Sequence, residues 1–503
     1  MVSLFLLASA LMRGQEPTAG AAPGLLEAVQ AALRHNRQLE SQQWQVEISR
    51  GTLLQATGQF DPTFNLTAAR GRLAQNVAAP GGLYRTETNT LSYTAAVTQQ
   101  MRNGITVSPG VTVSQVQDNF QNFVAAGTGG ATLTVTVPLL KGRGTVATGG
   151  QEQAARLGLE AARLVYAQAV ASTAGAVADA YWSWLAASRR LDAQRAAEAR
   201  ARRLRDETAA LVKADMVPAA DLGQPEANLA NSTGNRLLAE QDLFNATQAL
   251  GLAMGLNGAE LDHFAPAAEP FPNPGDAPLP DPAAADAYRR LALKLRQDYQ
   301  AATTNAEATE ILYRAARLNE RPLLNLGLQA GYTGLELGRF SDPWNPLARN
   351  QAGPNYGVQF TLDWPFANHA AQGVTRQQHA QFEQARLQAA DLAATICSDV
   401  ASAVQNLRTG MQALQQAQRA SALFTDAVEK ERQKFQLGES TVLDQLTIED
   451  RATQAELSLI SAQLLYATAL VNVRLQTGTL VEAQGDTFNL RDGALRSPPP
   501  PSP

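Results

Sequence analysis

The segments KADMVPAAD (residues 213–221) and QLGESTVLD (residues 436–444) indicate a repeated architecture, because each interrupts a long helical pattern in the same way. In both, a Pro or a hydroxyl residue restarts the helix and an aspartate, Asp221 or Asp444, follows one turn later. Upstream of both lie an extended segment, a Pro and a very long helix rich in Ala and Gln. The chain is therefore predicted to be a tandem duplication that alternates strands with helices of coiled-coil length.

The first half, residues 25–256, begins with a predicted helix over residues 25–58. From residue 62 to residue 138 the apolar period changes to two, and aliphatic residues alternate with Thr and other small polar residues. Asn103-Gly104 lies between two such runs and predicts a hairpin. These patterns predict strands with one apolar and one polar face, followed by helices over residues 151–211 and 218–256.

The second half, residues 284–480, repeats this plan after a Pro-rich linker over residues 257–283. Its predicted elements are a helix over 284–320, strands over 322–333 and 355–364, and helices over 366–436 and 441–478. The tail, residues 481–503, is Pro-rich and predicted to be disordered.

Helix length limits how such a chain can assemble. A helix over residues 366–436 has a length on the order of 100 Å, and the shorter helices are about half as long. Each half thus supplies one long helix and two short ones beside a few strands. A few strands with exposed edges cannot close a tube alone, which favours closure by oligomerisation.

Composition excludes several classes of function. Aromatic residues make up only 6% of the chain, and the net charge of −5 comes from interleaved acidic and basic residues. A nucleic-acid-binding surface would instead show clustered Lys and Arg and a basic pI. Cys397 is the only cysteine, which leaves no disulfide framework and no thiol metal site, and the four histidines show no ligand spacing.

The N-terminus carries an export pattern. Residues 2–12 form a short apolar run followed by small residues, so residues 1–24 are predicted to be a signal peptide and an N-terminal extension. No Cys follows this run, so we expect no lipid anchor. No other apolar stretch approaches eighteen residues, so we also expect no membrane-spanning helix.

The chain resembles the outer-membrane efflux protein family, the TolC-like exit ducts of Gram-negative bacteria. The resemblance covers about residues 25–480. It rests on VPLLKGRG (residues 137–144), AYWSWL (residues 180–185) and LGES (residues 437–440) with Asp444.

The resemblance implies a mainly α fold with a β part, namely a long helical, coiled-coil periplasmic barrel and an outer-membrane β-barrel completed by trimerisation. Four strands per chain would close a twelve-stranded barrel. The 62–138 block is long for two of those strands and predicts an extra hairpin or extended surface loops. The implied partners are two further copies, a periplasmic adaptor protein, an inner-membrane pump of the RND, ABC or MFS type, and outer-membrane lipid.

The resemblance also assigns residues to sites. The adaptor-contacting tips would be Ala214, Asp215, Met216 and Val217 in the first turn, and Leu437, Gly438 and Glu439 in the second. The periplasmic entrance, or gate, would comprise Asp444, Asp221, Ser440 and Thr447. Ser440 and Thr447 stand where other members carry a basic and an acidic residue, respectively. Pro138 and Pro365 would mark the strand–helix junctions.

Two structural interpretations stay open beside these roles. Asp221 and Asp444 lie in first turns of helices, where a carboxylate is stabilised by the helix dipole. Trp182 and Trp184 are predicted to pack between helices. Aromatic residues in or beside the strands are the candidates for a membrane-interface belt: Tyr84, Tyr93, Phe120, Phe123, Tyr332, Phe340, Trp344 and Tyr356.

Three classes of function compete. The favoured one is a passive trimeric conduit with no catalytic residues, no cofactor and no metal, located in the outer membrane with a large periplasmic part. A periplasmic adaptor also combines a helical hairpin with strands, but this chain has two long hairpins and no predominantly β body. A soluble helical scaffold, or an enzyme with a coiled-coil insertion, would not repeat the strand blocks at matching places in both halves.

Overall fold

The protein is described by a computed structural model over residues 24–119, 125–256, 269–274, 284–337, 344–349, 351–437, 439–484, 487–490 and 492–499. The helices are Leu25–His35 (α1), Arg37–Thr57 (α2), Thr145–Lys213 (α3), Gly223–Met254 (α4), Ala284–Leu295 (α5), Gln297–Asn319 (α6), His369–Gln436 (α7), Val442–Gln476 (α8) and Asp492–Arg496 (α9). The strands are Thr63–Ala79 (β1), Gly82–Gln100 (β2), Thr106–Asp118 (β3), Ala125–Pro138 (β4), Leu323–Leu337 (β5), Gln351–Asp363 (β6), Glu482–Gln484 (β7) and Thr487–Asn489 (β8).

The described residues form two compact units. The sheet unit comprises residues 46–162 and 301–389, and the helix unit comprises the remainder. Helices α2, α3, α6 and α7 contain residues of both units. The long helices α3 and α7 have 69 and 68 residues, as the repeat of Ala-rich segments predicted.

The sheet unit holds a single antiparallel sheet in the order β1-β2-β3-β4-β5-β6, which is the order of the chain. The family resemblance implied four strands, and the structure has six in this sheet. The two additional strands come from the 62–138 block, which folds as two hairpins, β1-β2 and β3-β4. The Asn103-Gly104 turn joins these hairpins as predicted, and Gly104 adopts a φ of 94° that favours glycine.

All connections between helices and this sheet lie at one end of it, which we call the helix end. The chain enters β1 from α2 through a short 3-10 helix, Gly58–Phe60, and leaves β6 towards α7. At the same end β4 leads into α3 and α6 leads into β5, because Pro138 pairs with Asn325 and Leu323 with Asp363. The sheet is therefore attached to helices at both outer strands and at its middle.

The helix unit is built on small side chains around a few large ones. Its main cluster joins α1, α3, α4 and α8, with Tyr181, Trp182 and Leu185 fully buried among alanines. Trp184 is buried beside them, so the prediction that Trp182 and Trp184 pack between helices is confirmed. Alanines let helix axes approach closely, so this core needs few aromatic residues.

Helix α8 is apolar enough, over 18 residues, to pass the length and composition test for crossing a membrane. The sequence prediction that no such stretch exists is therefore wrong. The helix packs Ile460, Leu470 and Val471 into the clusters of the helix unit. A core helix of a folded domain passes the same test, which explains its composition.

Two predicted helices are each broken at one residue. Residues 25–58 divide at Asn36, whose side-chain oxygen accepts hydrogen bonds from the N–H groups of Gln38 (2.8 Å) and Leu39 (3.4 Å) and so caps α2. Residues 284–320 divide at Arg296, whose guanidinium binds the Asp298 carboxylate. A one-residue break barely disturbs the apolar spacing, so periodicity alone did not reveal it.

The tail departs from the predicted disorder over its described residues. It forms β7, β8 and α9, and it buries Leu495 in the main cluster of the helix unit. The Tyr288 hydroxyl donates to the carbonyl oxygen of Pro499 at 2.8 Å, and Arg496 binds Glu269 at 2.7 Å. The proline content at the end of the sequence led to the prediction of disorder, although this segment makes apolar and ionic contacts. The predicted signal peptide lies outside the described residues, as does most of the Pro-rich linker.

Candidate functional site

One face of the six-stranded sheet is apolar from edge to edge. Directly paired residues of neighbouring strands point to the same face, so the register identifies it. Along one row across the sheet, Pro109 pairs with Leu133, Leu133 with Ala330, and Ala330 with Tyr356. Parallel rows continue to the other edge, where Leu66 of β1 pairs with Ala95 and Phe64 with Val97. No strand interrupts the apolar face.

The opposite face is polar or carries small residues over the same rows. It presents, among others, Asn65, Thr67, Thr94, Ser108, Thr112, Thr132, Thr134, Thr136, Gln329, Asn355, Gln359 and Thr361. A sheet with one apolar and one hydrated face suits a wall between hydrocarbon and water.

Strand β6 shows the apolar face most clearly. Its even-numbered side chains and those of the segment that follows are all apolar and exposed: Tyr356, Val358, Phe360, Leu362, Trp364 and Phe366. The run covers residues 356–366, and a tilted strand needs about 9–11 residues to cross a bilayer. On β1 the apolar alternation ends at Arg70 and Arg72, and Arg72 binds Glu87 of β2 at 2.6 Å. The apolar stripe is therefore bounded by charge on the side away from the helix end.

Aromatic residues lie near both limits of this stripe. Tyr93 stacks on Trp344 with ring centroids 5.6 Å apart, and Tyr84 is exposed. Trp364 and Phe366 lie at the helix end and were missed as belt candidates, although their position after an alternating strand was a usable signal. Phe120, Phe123 and Phe340 lie outside the described residues. The aromatic belt stays a prediction.

One asparagine side chain bridges the loop and the helix at the Pro138 junction. The side-chain oxygen of Asn319, the last residue of α6, accepts from the N–H of Gly142 at 3.1 Å. Its amide nitrogen donates to the carbonyl oxygen of Ala147 in the first turn of α3 at 2.9 Å. Asn319 thus connects the end of α6 both to the loop after β4 and to the first turn of α3.

The turn between β2 and β3 is fixed to the same helix. The Arg102 guanidinium binds the Glu152 carboxylate of α3 through two hydrogen bonds of 2.7 and 2.9 Å. It also lies over the Phe60 ring, 4.9 Å from the centroid. The hydrogen bonds from Arg102 lower the pKa of Glu152, which is buried. Sequence reasoning missed this pair because nothing in the sequence connects positions fifty residues apart.

The junction at Pro365 is more open than the one at Pro138. Pro365 is exposed, whereas Pro138 is buried. Asn368 takes a left-handed conformation with φ of 42°, and its amide nitrogen donates to the carbonyl oxygen of Glu320 at 2.6 Å. The two junctions thus use asparagine amides in different geometries.

The first helical turn, between α3 and α4, ends α3 with a left-handed residue. Asp215 has a φ of 54°, and the N–H of Met216 donates back to the carbonyl oxygen of Leu211 at 3.0 Å. This pattern closes the C-terminus of a helix. Pro218 then begins the next helical segment in an extended conformation, and Met216 is largely exposed at the turn.

The second turn, between α7 and α8, repeats part of that geometry. The N–H of Glu439 donates to the carbonyl oxygen of Lys434 at 2.9 Å, which matches the Met216 bond in sequence alignment. Thr441, extended like Pro218, caps α8. The tip residue Leu437 is exposed. Gly438 lies outside the described residues.

The two predicted entrance aspartates occupy different environments. Asp444 forms a capping box with Thr441: its carboxylate accepts from the Thr441 hydroxyl at 2.6 Å and from the Thr441 N–H at 3.2 Å. These bonds lower the pKa of Asp444. Asp221 follows Pro218, which has neither an N–H nor a hydroxyl to donate, so the same box cannot form there. Helix capping therefore accounts for Asp444 and leaves Asp221 unexplained.

The other two predicted entrance residues bind within the chain. The Ser440 hydroxyl donates to the Glu431 carboxylate at 2.5 Å, and Lys434 binds the same carboxylate at 3.1 Å. The Ser440 and Lys434 contacts lower the pKa of Glu431. The Thr447 hydroxyl donates to the carbonyl oxygen of Leu443 at 2.8 Å, within its own helix. Ser440 thus links the turn to the last helical turns of α7, and Glu431 was not predicted from sequence.

In the part of the chain that the structure describes, no group of three His, Cys, Asp or Glu side chains is arranged to hold a metal ion.

Comparison with solved structures identifies the fold. The chain matches the outer-membrane channel OprN with a TM-score of 0.65 and 17% identity over 90% of each chain. It matches the CmeC outer-membrane channel of Campylobacter jejuni with a TM-score of 0.66 and 16% identity, over 93% of this chain and 90% of that one. It matches CusC with a TM-score of 0.67 and 14% identity, over 93% and 95%. The resemblance seen in the sequence is confirmed at the level of the fold.

Searches by sequence add nothing to this comparison. No protein-family model matches the chain. No curated protein matches it either. The structural matches show that the chain has the fold of outer-membrane efflux channels. This fold is mainly helical, and its sheet here carries one apolar and one polar face.

Proposed function

We propose that the protein is an outer-membrane exit duct, a passive channel through which an inner-membrane pump discharges its substrate. The observation that carries this proposal is the six-stranded sheet whose apolar face runs unbroken from Leu66 of β1 to Tyr356 of β6. Such a face is costly in water and favourable against hydrocarbon. The fold shared with outer-membrane efflux channels supports the same location.

The proposed duct is a homotrimer in the outer membrane of a Gram-negative-type bacterium, with its helices in the periplasm. The periplasmic ends would be the two turns, where the exposed side chains of Met216 and Leu437 are available to an adaptor protein. Asp221 and Asp444 would line the entrance in rings of three, which favours cations over anions. In this role the protein carries out no chemical reaction.

The alternatives explain less. A periplasmic adaptor or a soluble scaffold would leave Val358, Phe360 and Leu362 of β6 in water, with more than half of each side chain exposed. Exposed apolar patches of that extent are uncommon on soluble monomers and mark interaction surfaces. Lipid is the partner that fits an alternating apolar stripe of bilayer height.

The test compares two neighbouring positions on opposite faces of β6. Phe360→Arg places a charge on the apolar face, where arginine near the bilayer centre costs about 2–4 kcal/mol. Gln359→Arg, one residue away on the polar face, is the matched control. We expect the wild type and Gln359→Arg to fractionate with outer membranes, run as a detergent-resistant trimer and conduct ions in a planar bilayer.

Phe360→Arg should lose most of its membrane-inserted trimer. If both arginine variants behave alike, the apolar face does not contact lipid and the proposal is wrong. A wild-type protein that stays soluble, monomeric and non-conducting would return the adaptor and scaffold classes to first place.

A further inference from the structure

The sheet has two unpaired edges of similar character. Within the described residues, β1 pairs only with β2 and β6 pairs only with β5. Each edge strand therefore presents a row of backbone N–H and C=O groups that no other described strand pairs with. In hydrocarbon such groups must be paired, because each unsatisfied one costs several kcal/mol. Both edges thus require a partner strand.

The β1-β2 hairpin belongs to the same sheet as the other four strands. Its register with β3 places Tyr93 opposite Val113 and Ala95 opposite Val111, so the apolar face continues without a change of phase. On the outer strand, Phe64 and Leu66 each expose 66% of their surface, as does Phe360 at the other edge. A hairpin that folded back over the sheet would cover these side chains instead of extending the face.

The connections of the chain also place β1 at an edge of the sheet. Strand β1 follows directly from α2, and β6 leads directly into α7. The turn between β2 and β3 is held to α3 by the Arg102–Glu152 pair. Both ends of the first hairpin are therefore anchored at the helix end of the sheet, next to the other strands.

From these observations we infer that the β1 edge pairs with the β6 edge of a second copy of this chain, so that every copy contributes six strands to the closed barrel. The pairing is antiparallel, because an even number of alternating strands leaves β1 and β6 running in opposite directions. The partner is another copy, because every copy has both a β1 edge and a β6 edge. Pairing these two edges keeps the apolar side chains of both copies on the same side of the sheet. This inference rests on the proposed function, and in a trimer it gives eighteen strands.

The consequence is a wider passage through the membrane. Barrel diameter grows roughly linearly with strand number, so eighteen strands make a barrel about 1.5-fold wider than twelve. The polar face of this barrel carries mainly Thr, Gln, Asn and Gly, with no ring of charge at its centre among the described rows. Such a lumen suits bulky or polar cargo better than selective passage of small ions.

Disulfide trapping in outer membranes tests the pairing directly. In a Cys397→Ala background, Thr67→Cys on β1 is combined in turn with Asn355→Cys, Gly357→Cys, Gln359→Cys and Thr361→Cys on β6. All five positions lie on the polar face, and a disulfide requires Cα atoms within about 7 Å. We expect one of the four combinations to shift most of the protein into covalent dimers and trimers on a denaturing gel.

The matched control replaces Thr67→Cys by Ser108→Cys on β3, which is paired on both sides within the chain. Its combinations with the same β6 series should remain monomeric. Cross-linking of Ser108→Cys instead of Thr67→Cys would mean that the barrel closes at β3 with four strands per copy. That result would overturn the inference.

The remaining outcomes separate this inference from the proposed function. If neither series cross-links although the protein is a conducting outer-membrane oligomer, the duct stands and the β1–β6 closure is wrong. If the protein forms no oligomer and no channel, the proposed function fails and the closure fails with it.

Discussion

Arg102 and Glu152 form a two-pronged ion pair that fastens the turn between the two N-terminal hairpins to the first long helix. The glutamate side chain is 6% exposed, whereas the arginine side chain is 59% exposed. The pair therefore neutralises a buried carboxylate with a guanidinium that reaches in from the surface. Breaking the pair would cost free energy mainly at the carboxylate, because burial has removed the water that would otherwise solvate it, whereas the arginine remains solvated.

Arg102→Ala should lower the thermal unfolding midpoint by several degrees, because it leaves the buried Glu152 carboxylate with only the longer contact to Arg156, at 3.6 Å. Thermal unfolding of the purified protein in detergent, followed by far-UV circular dichroism, measures the change in midpoint. Arg143→Ala is the matched control, since Arg143 is an exposed arginine in the loop that precedes α3. Equal effects of the two substitutions would contradict the role assigned to the pair.

The same pair predicts a pH dependence. Its hydrogen bonds hold the pKa of Glu152 below the usual 4.5, so its contribution to stability is present above pH 4.5 and is lost as the pH falls through the lowered pKa. The difference in midpoint between the wild type and Arg102→Ala should therefore be full at pH 7 and shrink below pH 4. A difference that stays constant over this range would mean that packing on Phe60, not the charge of Glu152, is the source.

The sequence predicts those parts of the fold that depend on interactions between residues close together in the sequence. Local alternation, as in Leu133, Val135 and Val137, correctly predicted strands with two unlike faces, and turn chemistry at Asn103-Gly104 correctly predicted a hairpin. These signals depend on neighbours in the sequence. The Gly81 and Gly82 turn between β1 and β2, with φ of 115° and 134°, was an equally local signal that went unused.

What could not be predicted depends on contacts between distant positions. The Glu431 carboxylate that receives Ser440, and the Glu269 carboxylate that receives Arg496, follow from tertiary packing alone. The tail was predicted to be disordered because proline content is a compositional signal. Burial of Leu495 and the Tyr288–Pro499 hydrogen bond reverse that expectation through contacts that composition does not encode.

The capping box at the second turn predicts that removal of the Thr441 hydroxyl destabilises the N-terminus of α8. Thr441→Ala should cost about 0.5–2 kcal/mol of unfolding free energy, the usual loss for an N-cap residue. Urea unfolding followed by circular dichroism measures it. Thr447→Ala, whose hydroxyl only bonds back within its own helix, is the control and should stay close to the wild type.

Asp221 and Asp444, the two proposed entrance aspartates, should respond differently to the same substitution. Asp444→Asn weakens the capping box and removes a charge, so it should lower the stability of α8 and change the ion selectivity of the channel. Asp221→Asn should change selectivity alone, because Pro218 offers its carboxylate no cap. Unfolding curves and reversal potentials in a salt gradient separate the two effects. Unchanged reversal potentials in both variants would leave only the capping role of Asp444.

Asp179 predicts an unusual pH dependence in the helix unit. Burial raises the pKa of its carboxyl to about 6 from 3.8, and one of its oxygens is buried without a hydrogen-bond partner among the described residues. Because the raised pKa belongs to the folded state, ionisation opposes folding as the pH rises from 3.8 through 6. Asp179→Asn should therefore stabilise the protein at pH 7.5 by up to about 3 kcal/mol.

Urea midpoints at pH 7.5 and pH 4 check this expectation, and most of the gain should disappear at the lower pH. Asp192→Asn, at an exposed position of the same helix, serves as the control and should change little at either pH. A gain for Asp179→Asn that is independent of pH would show that ionisation is not its cause.

The left-handed conformation of Asp215 predicts a stabilising substitution at the first turn. Left-handed backbone is strained for residues with a Cβ and unstrained for glycine, and the aligned position of the second repeat is itself a glycine, Gly438. Asp215→Gly should therefore raise the unfolding free energy by about 0.5–1 kcal/mol, the order of a glycine preference at a helix C-terminus. Met216→Gly, at the next and largely exposed position, lacks that strain and should be neutral or destabilising. If both glycine variants lose stability in urea, the Asp215 side chain contributes more to the turn than its backbone strain costs.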